Sequence, residues 1–205
     1  FCLVTTADER TWPVNEPILF LGEWCKRFSR KKKWLNNFNA TLNYHWDDRE
    51  KLRKDFNYLQ ELHEILLKDL SKQLNIFHNS NYSIRYWRIL IGPWLGYFIQ
   101  VIFDRWSTLN NALNDYDINK CYILDRKSFS FIPKDMQNFN NLSINDDWNE
   151  FIFGKLLQSH TEAKIDIIPV NGTNDEPISI VKKISDRWPK VIVKKIMSIY
   201  SGLIT

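Results

Sequence analysis

Glycine and proline are scarce in this 205-residue sequence, with six and seven copies, which excludes collagen-like and low-complexity classes. Cysteine is scarcer still: Cys2, Cys25 and Cys121 stand far apart with no CxxC spacing. Three sparse thiols cannot build a disulfide framework and point to a reduced, cytosolic setting. No metal-ligand spacing links them to the four histidines. Charge of one sign does not dominate either. Twenty-eight basic and 24 acidic residues leave a net +4, which allows weak attraction to anionic partners without demanding nucleic acid. Long apolar runs are missing. The best, ILIGPWLGYFIQVIF at 89–103, holds 15 residues, short of the roughly 20 that a spanning helix needs. It reads as a buried core helix. The phosphate-binding patterns GxGxxG and GxxxxGK(S/T) and the GxSxG nucleophile elbow are absent. Asp47-Asp48 and Asp146-Asp147 are acidic doublets.

Aromatic residues are the excess: 9 Trp, 8 Tyr and 13 Phe make 15% of the chain, more than core filling requires. The apolar fraction of 44% and charged fraction of 25% are ordinary, so the chain as a whole is not disordered. A domain this long hides roughly 70% of its unfolded surface and can build a core without staples. We expect one α/β domain over 1–205. The chain begins at Phe1 without Met, and we expect it to be a piece of a longer protein.

Short apolar runs at 1–5, 17–22, 42–46, 121–124 and 165–170 read as strands, with a further one at 128–133. Residues 23–28 read as a short helical start. Leu52, Phe56, Leu59, Leu62, Leu66, Leu70 and Leu74 step by three or four, which predicts a long helix capped by Asp47 or Asp48. A second long helix follows from about 83 to 114, broken or bent at Gly92-Pro93. The two form an αα-hairpin over 48–114. In the second helix Trp94, Phe98, Ile102 and Trp106 make one stripe, and Leu95, Ile99 and Phe103 another. A helix apolar on most of its surface packs on several sides, which makes it the spine. The Asn-rich stretch 134–145 reads as loop, 147–159 as helix, 171–175 as a turn, and 178–188 and 191–200 as helices. Strands mixed with long helices give a parallel-type sheet flanked by helices.

Three polar clusters have the composition of a site. Thr5, Thr6, Asp8, Glu9 and Arg10 follow the first strand, where ligands of open α/β sheets bind; hydroxyls, carboxylates and a guanidinium together fit a sugar or phosphate. His45, Trp46, Asp47 and Asp48 place an imidazole beside carboxylates, a pairing suited to general acid or base work. Arg85, Arg88 and Trp94 near the start of the second long helix fit an anionic group. Each has a plainer reading: a solvated turn, a helix cap, and cation–π packing. The basic run SRKKK at 29–33 reads as a solvated segment, or with Phe28 and Trp34 as a peripheral membrane contact.

The segments VTTADERTWP (4–13), FLGEWC (20–25), YHWDDREKL (44–52) and RYWRILIGPWLGYFIQVIFDRW (85–106) resemble a family of bacterial transferases encoded in surface-polysaccharide (lipopolysaccharide O-antigen) gene clusters. The resemblance is close over the first half of the chain and looser beyond. Members are about three times this length, so it implies the N-terminal, acceptor-side part of a two-domain, glycosyltransferase-like enzyme of the cytoplasm or the inner face of the membrane. A nucleotide-sugar donor is then expected in the missing C-terminal part, and no cofactor in this chain. The partner is a carbohydrate or lipid-linked acceptor. By that analogy His45, Asp8 or Asp48 acts on the acceptor hydroxyl, while Thr6, Glu9, Arg10, Trp46, Arg85, Arg88 and Trp94 bind substrate. The competing reading makes the hairpin 48–114 a non-catalytic docking or oligomerisation module. The catalytic reading requires the segments around residues 8, 45 and 88 to line one hollow.

Overall fold

A computed structural model describes residues 1–35, 38–125, 131–159 and 165–171. Among the described residues five strands form one parallel sheet: β1 (Cys2–Val4), β2 (Ile18–Phe20), β3 (Asn39–Thr41), β4 (Lys120–Asp125) and β5 (Asp166–Asn171). Their order is β3-β2-β1-β4-β5. Leu3 pairs in register with Leu19 on one side and Cys121 on the other. The helices are α1 (Lys31–Leu35), α2 (Arg49–Phe77), α3 (Ile84–Asp115), α4 (Met136–Ser143) and α5 (Asp146–Ser159).

Both faces of the central strands are covered. This is why Cys2-Leu3-Val4 and Ile18-Leu19-Phe20-Leu21 are continuously apolar instead of alternating with polar residues. Successive side chains of a strand point to opposite faces. Leu3, Leu19, Leu21 and Cys121 meet Leu109 and Ala112 of α3 and Phe153, Leu156 and Leu157 of α5. On the other face Val4, Ile18 and Phe20 meet Cys25, with Trp12 and Trp34 alongside. All three cysteines are buried and unpaired. Burial raises each thiol, Cys2 to about 11 and Cys25 and Cys121 further, so the thiols stay protonated and unreactive.

The hairpin is as the leucine spacing requires. Asp48, not Asp47, caps α2: its carboxylate accepts from the amides of Glu50 (2.9 Å) and Lys51 (3.1 Å). Leu59, Leu62, Leu66 and Leu67 of α2 pack on Leu95, Ile99 and Phe103 of α3. The second stripe of α3 turns away: Val101 and Ile102, with Trp94 and Phe98, meet Phe131, Phe139 and Trp148. Phe56 sits on the exposed side of α2, off the buried stripe.

Several expectations need correction. The third strand is Asn39–Thr41, not 42–46. It is a half-buried edge strand, so its letters carry no apolar run, while Tyr44 leads into one turn of 3-10 helix at His45–Asp47. The stretch 134–145 is not loop: α4 occupies it, capped by the Asp135 carboxylate, which accepts from the Asn138 amide at 2.7 Å. Its asparagines face outward around a single buried aromatic, Phe139. Of the break or bend expected at Gly92-Pro93, the break is absent: α3 runs through both residues. Proline removes one amide donor, and the adjacent Gly92 carbonyl accepts a hydrogen bond from His63 Nε2 of α2 at 3.1 Å. Between 23 and 28 there is one turn of 3-10 helix, Glu23–Cys25, and Phe28 opens a second, Phe28–Arg30. Half of the expected strand at 128–133 lies outside the described residues, and its described part, 131–133, is not strand. The turn expected at 171–175, past Asn171, and the helices expected at 178–188 and 191–200 lie outside the described residues. Among the described residues no helix is long and apolar enough to cross a membrane.

Candidate functional site

With every strand parallel, all carboxyl ends lie on one edge. The chain moves outward in one direction from β1 through β2 to β3, then returns to β4 and leaves the other way to β5. The topological switch point is therefore between β1 and β4, where open α/β sheets leave a crevice for ligand. Helix α3 ends at Asp115, five residues before β4 begins at the amino edge. Asp104, 11 residues earlier, stands about 16 Å up the helix from that end, towards the carboxyl edge.

The segment after β1 lies at the switch point. Thr5 and Thr6 are buried there. Thr6 Oγ1 accepts from the Asp8 amide (3.2 Å), and the Thr6 carbonyl accepts from Trp12 Nε1 (3.1 Å). Asp8 caps a 3-10 turn, Glu9–Thr11, by accepting from the Arg10 amide at 3.0 Å. The same carboxylate holds the Arg10 guanidinium in a two-pronged pair: Nε to Oδ1 at 3.0 Å and Nη2 to Oδ2 at 2.5 Å. The hydrogen bond to Asp8 raises the Arg10 pKa against burial, and the Asp147 and Glu150 carboxylates add to it. Arg10 therefore lies in the field of the α5 N-terminus as well. Glu9 points away, to Arg30 (3.1 Å) and Lys33. The basic run 29–33 is thus tied in part to the first loop.

The segment after β2 supplies a group that sequence reasoning missed. Trp24 is 44% exposed and its indole lies parallel to the Phe153 ring. Its Nε1 donates to the Thr5 carbonyl at 3.3 Å, which docks it beside the end of β1. The ring lies directly against Gly22: a Cβ placed there would come within 1.9 Å of it. Glycine is needed at 22 to make that room. The strand-ending Gly followed by Trp in FLGEWC was the available signal.

The segment after β3 builds a buried polar network. His45 Nε2 and the Tyr44 hydroxyl both donate to Asp104 Oδ1, at 3.1 and 2.9 Å, and Arg105 pairs with Asp104 Oδ2. Arg105 Nε in turn donates to Asn149 Oδ1 at 2.8 Å, tying α3 to α5. Burial works to raise the Asp104 carboxyl, but the His45 hydrogen bond, the Arg105 charge and the Tyr44 hydroxyl outweigh it and hold it below the usual range. Burial, then the Asp104 charge, pushes the Tyr44 phenol up. The His45 side chain is only 1% exposed, and among the described residues its Nδ1 has no hydrogen-bond partner. Trp46 serves the hairpin base: its Nε1 donates to Asp55 Oδ2 at 2.9 Å and its ring stacks near Phe103.

The three clusters therefore do not share one hollow. β1 and β3 are two strands apart, about 10 Å, so the Asp8 and Tyr44–His45 segments flank Trp24 on one edge. Arg88 is elsewhere. It lies 16 residues before Asp104, roughly 24 Å along α3. There it pairs with Glu64 of α2 at 2.5 Å, and the hydrogen bond from Arg88 lowers the Glu64 carboxyl to about 2. Arg85 is exposed on the same stretch, and Trp94 packs on Phe98 and Phe139. Asp48 is occupied as a cap. Among the described residues no cluster of His, Cys, Asp or Glu could hold a metal ion.

No curated protein and no solved structure matches the chain. A transferase is in keeping with polar groups gathered at the switch point of a parallel sheet, and the sequence itself carries the assignment: residues 1–203 match the model of the LIC12162 family transferase, and the protein belongs to that family.

Proposed function

We propose that the chain is the acceptor-side part of a glycosyl-type transferase that acts in surface-polysaccharide synthesis, passing a sugar from a nucleotide-sugar donor, held outside this chain, to a carbohydrate or lipid-linked acceptor. The supporting observation is that the half-exposed Trp24 indole docks on the Thr5 carbonyl, three residues before the Asp8–Arg10 pair, at the carboxyl edge of a parallel sheet. A flat apolar ring beside charged hydrogen-bonding groups is the chemistry that holds a sugar: the ring face stacks, and the carboxylate orients a hydroxyl.

In this reading Trp24 stacks on the acceptor ring and Asp8 accepts the hydrogen bond of the attacking hydroxyl. As the new C–O bond forms at the anomeric carbon, Asp8 takes the hydroxyl proton and the nucleotide leaves with the electrons of the broken C–O bond. Arg10 keeps the Asp8 carboxylate aimed. His45, buried behind, is a positioning residue: it shares Asp104 Oδ1 with the exposed Tyr44 and so fixes where the phenol stands. Asp48, Glu9 and Trp46 serve the frame. Arg85, Arg88 and Trp94 take no part at this site.

The test is transfer from a panel of nucleotide sugars by the whole protein. Asp8→Asn should lower kcat by about 10²–10⁴, and Trp24→Ala should raise KM roughly tenfold, both with unchanged circular dichroism. Full turnover in Asp8→Asn removes it from the site. If Tyr44 is placed through the shared Asp104 oxygen, His45→Gln should restore much of the kcat lost in His45→Ala without changing the pH profile.

A further inference from the structure

The far end of the hairpin holds a surface that the transferase reading does not use. Residues 72–90 carry Lys72 and Arg85, besides the Arg88 that Glu64 of α2 pairs, and no aspartate or glutamate of their own. In the same stretch Ile76, Phe77, Tyr82, Tyr86, Ile89 and Leu90 are all exposed, Ile76 and Ile89 by 74% and 72%. The cores of the hairpin and the sheet lie elsewhere, at Leu59–Leu67 and beyond Leu95. The tip is nevertheless well made. Asn75 Oδ1 accepts from Ser80 Oγ, the Tyr82 amide and Trp87 Nε1, at 3.0–3.1 Å, and Asn75 Nδ2 donates to the Tyr82 carbonyl at 2.9 Å. Asn79 takes the left-handed turn with φ 48°. The Tyr82 and Tyr86 rings stack with centroids 4.2 Å apart. A single asparagine thus locks an apolar, aromatic and basic knob that projects from the body.

We infer that the tip of the α2–α3 hairpin, residues 72–90, docks on the surface of an anionic lipid bilayer. Two observations select that occupant. The patch joins aliphatic side chains and tyrosines to basic residues, the combination that sits at the boundary between headgroups and acyl chains. Its charge also argues against a second copy, because Lys72 and Arg85 of two tips would meet with like signs. The helices are too polar to insert, so contact is confined to the tip.

Flotation of the full chain with vesicles tests this. The chain should float with vesicles of phosphatidylcholine mixed with phosphatidylglycerol, float much less with phosphatidylcholine alone, and release at high salt. The double variant Ile76→Glu/Ile89→Glu alters only exposed side chains and should weaken binding roughly tenfold or more. Circular dichroism verifies that it folds. Lys31→Glu/Lys32→Glu, in the basic run near the sheet, should leave binding unchanged. A labelled Asn79→Cys variant (the native thiols being buried) should shift to the blue on anionic vesicles. The inference is overturned if the chain stays in the dense fraction. It is equally overturned if the tip variant floats like the parent while the Lys31/Lys32 variant does not, or if sedimentation shows a dimer that the tip variant abolishes. None of these outcomes bears on sugar transfer, which is read separately.

Discussion

Single residues show where chemistry and packing part company. His45 stands in an arrangement that sequence alone reads as catalytic, an imidazole among carboxylates. Yet the carboxylate it meets is Asp104, 59 positions away, and not its neighbours Asp47 and Asp48. No local spacing could reveal that partner. Asp104 ionises more readily in the fold than in the unfolded chain. Its stabilising contribution is therefore complete above the ordinary aspartate value of 3.8 and is lost as pH falls through the lower folded value. Replacing Asp104 with Asn should cost about 3 kcal/mol at neutral pH, and the gap to the parent should narrow in acid. Urea titrations in neutral and acidic buffer measure it; a gap that stays constant would mean that the charge of Asp104 contributes nothing.

Among elements, legibility followed periodicity. The hairpin was readable because α2 and α3 each repeat apolar residues at helical spacing, and α3 does so on two faces that the structure gives to two different partners. The strands β1, β2 and β4 were readable because buried positions make their letters apolar, and β5 because Ile167 and Ile168 keep an apolar run even at an edge. β3 was misplaced for the opposite reason: an edge strand of Asn-Ala-Thr carries no such mark. Helix α4 was hidden because one residue, Phe139, anchors it. That concentration makes a prediction. Phe139 is fully buried against Trp94, Tyr97, Phe98 and Trp148. Phe139→Ala should lower stability by about 3–5 kcal/mol and release α4 before the sheet. Amide exchange should then show lost protection at 136–143 with β1 and β4 still protected; uniform loss everywhere would contradict a separate role for α4.

For the whole molecule, the sheet is a sealed layer with its polar groups moved to one edge. All three cysteines lie in or against that layer with no more than 1% exposure. A thiol reagent such as Ellman's should therefore find none of them in the native protein and all three in denaturant. Reaction of any thiol at the global unfolding rate would fit the layer, whereas rapid native labelling would show that it opens locally. The place of Thr6, Asp8 and Arg10 just after a strand at the carboxyl edge was legible from the sequence. Trp24 and the Asp104 network were not, since both depend on long-range packing.

Helix α3 is continuous from the acid-free tip to the polar edge of the sheet, and that continuity sets a stand-off. With Asp104 roughly 24 Å along the helix from Arg88, a site at the strand ends is held at arm's length from whatever the tip touches. An acceptor rooted in that same surface would need a stalk of comparable reach, and shortening both helices by two turns would bring the edge about 11 Å closer.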